Sequence, residues 1–329
     1  MTQLLLRRRG ALAGIGAGLI GAPAIARAQG AYPNKQIRLV VAFAPGGATD
    51  LLARIVADHL TKAWGTQVVV DNKTGAGGNI GADLVAKAAP DGYTLLLGTV
   101  GAAVTNQFLY KNMPHDSATA FSPVALVGEV ANVLAVHPDV PVKTVAEYIA
   151  LAKSKAGALN YGSPAVGGTG HLAMEYLQAV AGIKIEHIVY RGSSLVLQDL
   201  LAGSIPSTMD NLPPYLPHIR TGKVRALAGS SAKRWFALPD VPTVAESGIE
   251  GYDAAPWWYV AGPAGMPAEI VAKLSGEITR GIRSEEVGKK IRDAGAAPLA
   301  GETDALKRHI ATETVKWKKV IDAAGLQPQ

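Results

Sequence analysis

The feature that most limits how this chain can fold is a short apolar run that stops at a proline and two glycines and passes at once into an amphipathic helix. It spans residues 37–50, Ile-Arg-Leu-Val-Val-Ala-Phe-Ala-Pro-Gly-Gly-Ala-Thr-Asp. Residues 39–43 have the length and apolar content of a buried strand. After the turn, Leu52, Ile55, Val56, Leu60 and Ala63 recur at helical spacing. A helix start leaves about four N–H groups without partners and carries a partial positive charge, so the turn can hold an anion. Gly46 and Gly47 add backbone freedom and put no side chain in a ligand's way. A second reading stays open on these residues alone: a tight connection in which Thr49 or Asp50 is an ordinary N-cap.

The same unit occurs again. Residues 159–163 (Leu-Asn-Tyr-Gly-Ser) read as a strand that enters Pro-Ala-Val-Gly-Gly-Thr-Gly at 164–170. A helix from His171 follows, with Leu172, Tyr176, Leu177 and Val180 on its apolar face and Gly182 as its C-cap. Two such turns, one on each of two facing domains, would oppose two sets of N–H donors and hold a carboxylate without a formal positive charge. Independent turns are the alternative.

Between and beyond these units, strand-like runs (67–71, 94–98, 121–126, 132–136, 185–190, 206–210, 224–229) alternate with helical ones (79–89, 145–154, 195–202, 267–283, 302–323). That pattern predicts an α/β protein with mainly parallel sheets flanked by helices. At 329 residues, two domains are expected. Residues 253–262 read as the return of the chain to the first domain. Asp210, at a strand end, can accept from a ligand hydroxyl, ammonium or bridging water, or cap the segment from Leu212. The glycine-rich stretch 73–81 is no dinucleotide fingerprint, because Ile80 stands where a small residue is needed and no acid follows about 20 residues on.

Residues 1–28 read as a secretory signal: Arg7, Arg8 and Arg9, a Gly/Ala/Leu/Ile stretch, then Ala26-Arg27-Ala28 for cleavage near Ala28. The general export route ranks ahead of the twin-arginine route. An uncleaved anchor is disfavoured, since the apolar stretch falls short of the ~20 residues a span needs. The formal charge of +6 shrinks to +2 without those four arginines, 28 Lys+Arg against 26 Asp+Glu, which is no nucleic-acid signature. No cysteine is present, which rules out disulfides, thiolate metal sites and cysteine nucleophiles.

Taken together, several stretches make the chain resemble the Bug family, the periplasmic solute-binding proteins of tripartite tricarboxylate transporters. They are Phe-Ala-Pro-Gly-Gly-Ala-Thr-Asp (43–50), Gly-Ala-Gly-Gly-Asn-Ile-Gly-Ala (75–82), Pro-Asp-Gly-Tyr-Thr-Leu-Leu-Leu-Gly (90–98) and Tyr-Gly-Ser-Pro-Ala-Val-Gly-Gly-Thr-Gly-His-Leu (161–172). Tyr-Arg-Gly (190–192), Asp-Leu-Leu-Ala-Gly (199–203), Leu-Pro-Asp-Val-Pro-Thr-Val-Ala-Glu-Ser-Gly (238–248) and Gly-Pro-Ala-Gly-Met-Pro (262–267) complete the set. The resemblance implies a two-domain Venus flytrap with two hinge crossings, residues 31–128 plus 254–329 forming one domain and 129–253 the other. It implies a periplasmic monomer without cofactor or metal that hands a carboxylate to integral-membrane transporter subunits. On the matching positions, Gly46, Gly47, Ala48, Thr49 and Asp50 form one jaw. Ser163, Gly168, Thr169, Gly170 and His171 form the other, with Phe43 and Asp210 as pocket walls.

Two departures bear on the ligand. The chain has Gly-Thr-Gly-His-Leu where the family usually has Gly-Ser-x-His-Leu, and Tyr259 replaces a glycine after the return-strand tryptophan. The bulky Trp257-Trp258-Tyr259 run either packs the hinge or turns the pocket from small di- or tricarboxylates toward an aromatic acid. Two rival functions are weighed. A hydrolase would use Ser163, His171 and Asp210, but no Gly-x-Ser-x-Gly elbow surrounds Ser163. A ligand-loaded co-receptor for a membrane sensor kinase would use the same pocket, and the sequence does not separate it from transport.

Overall fold

The computed structural model describes residues 32–154 and 159–328, so the expected signal at residues 1–28 lies outside the described residues. The described residues from Pro33 onward pack as one unit. In chain order the elements are β1 (Ile37–Val41), α1 (Ala48–Trp64), β2 (Val68–Asn72), α2 (Asn79–Ala86), β3 (Thr94–Thr99), α3 (Asn106–Leu109), β4 (Phe121–Glu129), β5 (Asn132–Val136) and α4 (Val145–Ser154). There follow β6 (Asn160–Ser163), α5 (Thr169–Ala181), β7 (Glu186–Val189), α6 (Ser193–Leu201), β8 (Ser207–Asn211), α7 (Leu216–Arg220) and β9 (Arg225–Gly229). The chain closes with β10 (Trp257–Pro263), α8 (Ala268–Arg283), α9 (Glu285–Asp293), β11 (Ala297–Gly301) and α10 (Thr303–Ala323).

Two sheets result, flanked by helices: β11-β4-β10-β3-β1-β2 and β7-β6-β8-β5-β9. The chain passes from the first to the second between β4 and β5 through Val130 and Ala131, and returns between β9 and β10. The sheets are mixed rather than mainly parallel. β1 runs parallel to β2 and β3, and β6 parallel to β7 and β8, as helical crossovers require. β10 instead runs against β3 and β4, β11 against β4, and β5 against β8 and β9. Strands that arrive from the other lobe carry no crossover helix and so escape the rule that makes βαβ units parallel.

Burial explains the central strands. β1 shows four of its five residues buried, and all seven residues of β10 are buried, the pattern of strands covered on both faces. Tyr259 of β10 lies over Gly98 of β3, where an added Cβ would fall 2.3 Å from the ring. The bulky departure in β10 is thus accommodated by a bare backbone opposite it. Helical turns at 101–109, α7, α9 and β11 add to the elements expected from periodicity. The 101–105 stretch is buried throughout, so it offers no polar face from which a helical period can be read.

Candidate functional site

Three helices begin at the cleft between the sheets, and each begins with a glycine. The N-caps of α1 and α5 are Gly47 (φ −82°, ψ 173°) and Gly168 (φ −65°, ψ 158°), both extended, and neither helix has a side-chain cap. Thr49 and Asp50 therefore sit inside the first turn of α1 rather than capping it. The third start is Gly192, which precedes Ser193 and α6 and again supplies no side-chain cap. First-turn N–H groups left without caps make a helix start receptive to an anion.

The turns are held from behind. Gly46 has φ +84°, which favours glycine, and its N–H donates to Asp50 Oδ2 at 3.0 Å. Asp50 also accepts from Arg54 (2.9 and 3.0 Å) and from Asn72 Nδ2 (3.1 Å). Burial raises its carboxyl, but the bonds from Arg54, Gly46 and Asn72 outweigh burial and hold it below the usual carboxylate range. Asp50 is a brace, turned away from the cleft. In the second turn, Gly167 (φ +73°) donates its N–H to His171 Nδ1 at 3.2 Å. His171 stacks on His187 (centroids 4.4 Å apart), and His187 Nε2 lies 2.7 Å from Ser163 Oγ. Burial lowers His171 to about 4; burial, then the neighbouring His171, lowers His187 to about 3. Both rings are neutral props beneath the turn.

The cavity itself is lined by Phe43, Gly47, Ala48 and Thr49 from one side and by Gly168, Thr169, Ser193 and Asn211 from the other, with Trp258 of β10 on its wall. About 30 Å³ of it is open to the centre of a water molecule. Among the described residues that line it, none carries a formal charge. Trp258 Nε1 donates to Thr49 Oγ1 at 3.0 Å, which occupies that oxygen as acceptor and frees its proton to point at a ligand oxygen. Behind Ser193 lies Asp210, fully buried, which accepts from the Ser193 hydroxyl, from Tyr215 Oη (2.8 Å) and from the Asn211 N–H (2.7 Å). Burial pushes Asp210 up to about 6 against those three bonds.

Of the residues expected at the site, Phe43, Gly47, Ala48, Thr49, Gly168 and Thr169 line the cavity. Gly46, Asp50, Ser163, Gly170, His171 and Asp210 stand one layer behind it and position those that do. Gly170 packs so closely on β8 that a Cβ would meet Met209 O at 2.1 Å. Ser163, His171 and Asp210 do not assemble as a triad: Ser163 pairs with His187, and Asp210 with hydroxyls and a backbone N–H. Among the described residues no three His, Asp or Glu side chains gather as metal ligands. The two tryptophans divide the roles left open by the sequence. Trp258 faces the cavity, whereas Trp257 packs inward, donating to Glu313 Oε2 at 2.9 Å with His309 edge-on at 4.6 Å. Sequence reading missed Ser193, Asn211 and the third helix start. The Gly192-Ser193-Ser194 run before Leu195 was the available signal, a small polar cap ahead of an apolar helix.

Comparison with known proteins places this architecture. The model of the tripartite tricarboxylate transporter family receptor matches residues 52–326. The protein BugT of Bordetella pertussis is 37% identical over 295 residues, 89% of this chain and 90% of that protein. A solved structure of an R. palustris protein with adipate has a TM-score of 0.88 at 41% identity, covering 91% of this chain and 100% of that one. MatC from Rhodopseudomonas palustris with bound malate has a TM-score of 0.84 at 29% identity, covering 88% of this chain and 100% of that one.

Proposed function

This chain belongs to the Bug family, the receptors of tripartite tricarboxylate transporters, and from that premise we propose that it binds a small organic carboxylate between its two lobes in the periplasm. One lobe is residues 31–128 with 254–329 and the other 129–253. The loaded, closed form docks on integral-membrane transporter subunits, and the protein performs no chemistry on its ligand. Export removes residues 1–28 near Ala28.

The observation that carries this reading is the convergence of three glycine-started helices on one cavity without formal charge among its described lining. A carboxylate has two oxygens and about four acceptor sites, all of which backbone N–H and hydroxyl donors can fill. Each hydrogen bond to a charged group contributes about 1.5–3 kcal/mol, so a few oriented donors suffice for micromolar binding without a salt bridge. Thr49 adds a fixed hydroxyl donor, and Trp258 gives an apolar wall for the body of the acid. The dicarboxylates held by the two structural relatives, malate and adipate, are the first ligands to try.

The test is a thermal-shift screen of mono-, di- and tricarboxylates and aromatic acids, followed by calorimetry, since a ligand that binds only the native state raises apparent stability. Gly47→Leu is the decisive variant. A Cβ on Gly47 would lie 3.5 Å from Ser193 Oγ, an ordinary contact, so the fold accepts it while the longer side chain fills the cavity. The unliganded melting temperature should hold within a few degrees and binding should weaken more than about 100-fold, the loss of two or more charge-assisted bonds. Retained binding in Gly47→Leu would refute the cavity assignment.

A further inference from the structure

A second chamber adjoins the first. It has about 420 Å³ open to the centre of a water molecule, against about 30 Å³ for the inner cavity, and shares Phe43, Gly77 and Pro164 with it. Its walls also come from both lobes, residues 74–78, Ile80 and Tyr110 on one side and residues 164–166 and 189–191 on the other. Two of its lining residues are large apolar side chains left in solvent, one from each lobe: Ile80 is 53% exposed and Val189 52%. Arg191, which is also exposed, is the one cation among the described residues that line it, and no acid is among them.

We propose that this outer chamber is the subsite for the far end of an elongated ligand: an acid whose first carboxylate enters the inner cavity, whose apolar spacer lies along Phe43, Ile80 and Val189, and whose second, terminal anion meets Arg191. The inference deepens the carboxylate-receptor reading and rests on it. Three physical points support the assignment. The inner cavity has room for a head group and little more, so the carbon skeleton has to continue into the larger space. Apolar side chains on both lips gain by losing water to an apolar spacer, at about 25 cal/mol per Å² covered. Arg191 presents a planar fork of donors that matches a carboxylate bidentately, which the neutral tail of a monocarboxylate cannot use. The two ends therefore select by different chemistry. Oriented N–H groups take the first carboxylate, and an exposed guanidinium takes the second.

Calorimetric titration of straight-chain mono- and dicarboxylates of four to ten carbons, with benzenedicarboxylates alongside, tests this on the full mature protein. Wild type should bind a dicarboxylate about ten-fold or more tightly than the monocarboxylate of equal length, with an optimum at one length. Arg191→Gln should erase that difference while leaving monocarboxylate affinity within two-fold, and Arg191→Lys should keep part of it, because a point charge lacks the fork. Ile80→Ser with Val189→Ser should reduce the gain per added carbon for both series. Equal affinity of wild type for matched mono- and dicarboxylates, or an Arg191→Gln variant that keeps the preference, overturns the subsite and leaves the inner site standing. Failure of wild type to bind either series overturns both.

Discussion

In the proposed receptor the closed form is held by side chains that reach across the cleft, and that hold can be weakened without touching the inner cavity. Ser194 Oγ, on α6, donates to Pro45 O in the first turn at 2.7 Å. Tyr110 Oη donates to Val166 O in the second turn at 3.2 Å. When the lobes part, all four groups meet water, so the open form loses nothing in Ser194→Ala or Tyr110→Phe. The whole effect falls on the closed form. A net hydrogen bond contributes about 0.5–1.5 kcal/mol, and the Ser194 bond is solvent-exposed, which argues for about 0.5–1 kcal/mol. Either variant should thus weaken ligand binding about two- to five-fold. The double variant should approach the product of the two losses, since the pairs share no partner. A ligand shifts an equilibrium only by its differential affinity for the two states, so a less stable closed form lowers apparent affinity by the same factor. Most of the loss should appear as faster dissociation. Stopped-flow fluorescence can read both rates, because Trp258 lines the cavity whereas Trp257 and Trp317 are buried in the core. Unchanged dissociation in the double variant, with melting temperature also unchanged, would show that these contacts have no part in the bound state.

Asp210 makes affinity depend on pH: burial pushes it up to about 6, so it is mostly ionised at pH 7.5 and mostly protonated at pH 5. A ligand anion beside Ser193 favours the protonated form, so carboxylate affinity should rise as pH falls from 7.5 to 5, by several-fold, and Asp210→Asn should flatten that slope in calorimetry. For stability the sign is the same: with the folded value above the ordinary 3.8, Asp210 destabilises the fold as pH rises between about 4 and 6, and Asp210→Asn should lessen that loss in melting curves. His171 and His187 act in the opposite direction. Their folded values lie below the ordinary 6.5, so stability present above pH 6.5 is lost as pH falls toward 4, and His187→Gln should shallow the acid limb of a plot of melting temperature against pH. Trp257→Ala should cost about 3–5 kcal/mol of stability in denaturant titration and leave Glu313 one donor short, with ligand affinity nearly unchanged. Trp258→Ala should instead lower affinity at least ten-fold by calorimetry, through loss of the apolar wall and of the bond that orients Thr49.

What could be read from the sequence, and what could not, follows from the range of the forces involved. The two glycine turns were legible because the reasons for them are local: a strand that runs out, a residue free to take φ +84° or +73°, a helix that starts two residues further on. The layer behind the cavity was not legible, because its members are defined by partners far along the chain. Asp50 is drawn off the ligand side by Arg54 and by Asn72 of β2, and Asp210 acts through Ser193 on another element. The mixed sheets share that origin, since the direction of β5 and β10 is set by which lobe each strand arrives from. Trp257 and Trp258 show the boundary most sharply. Alternation along a strand requires that neighbouring side chains point to opposite faces, so at most one of the two rings can look into the cleft. Which one does is decided by α10, whose Glu313 accepts from both Trp257 and Trp317 at 2.9 Å and so claims the odd-numbered face of β10 for the core. The even-numbered face is then the one left to meet Thr49, and the choice of wall for the ligand is made by a glutamate more than fifty residues downstream, on a helix that does not line the cavity.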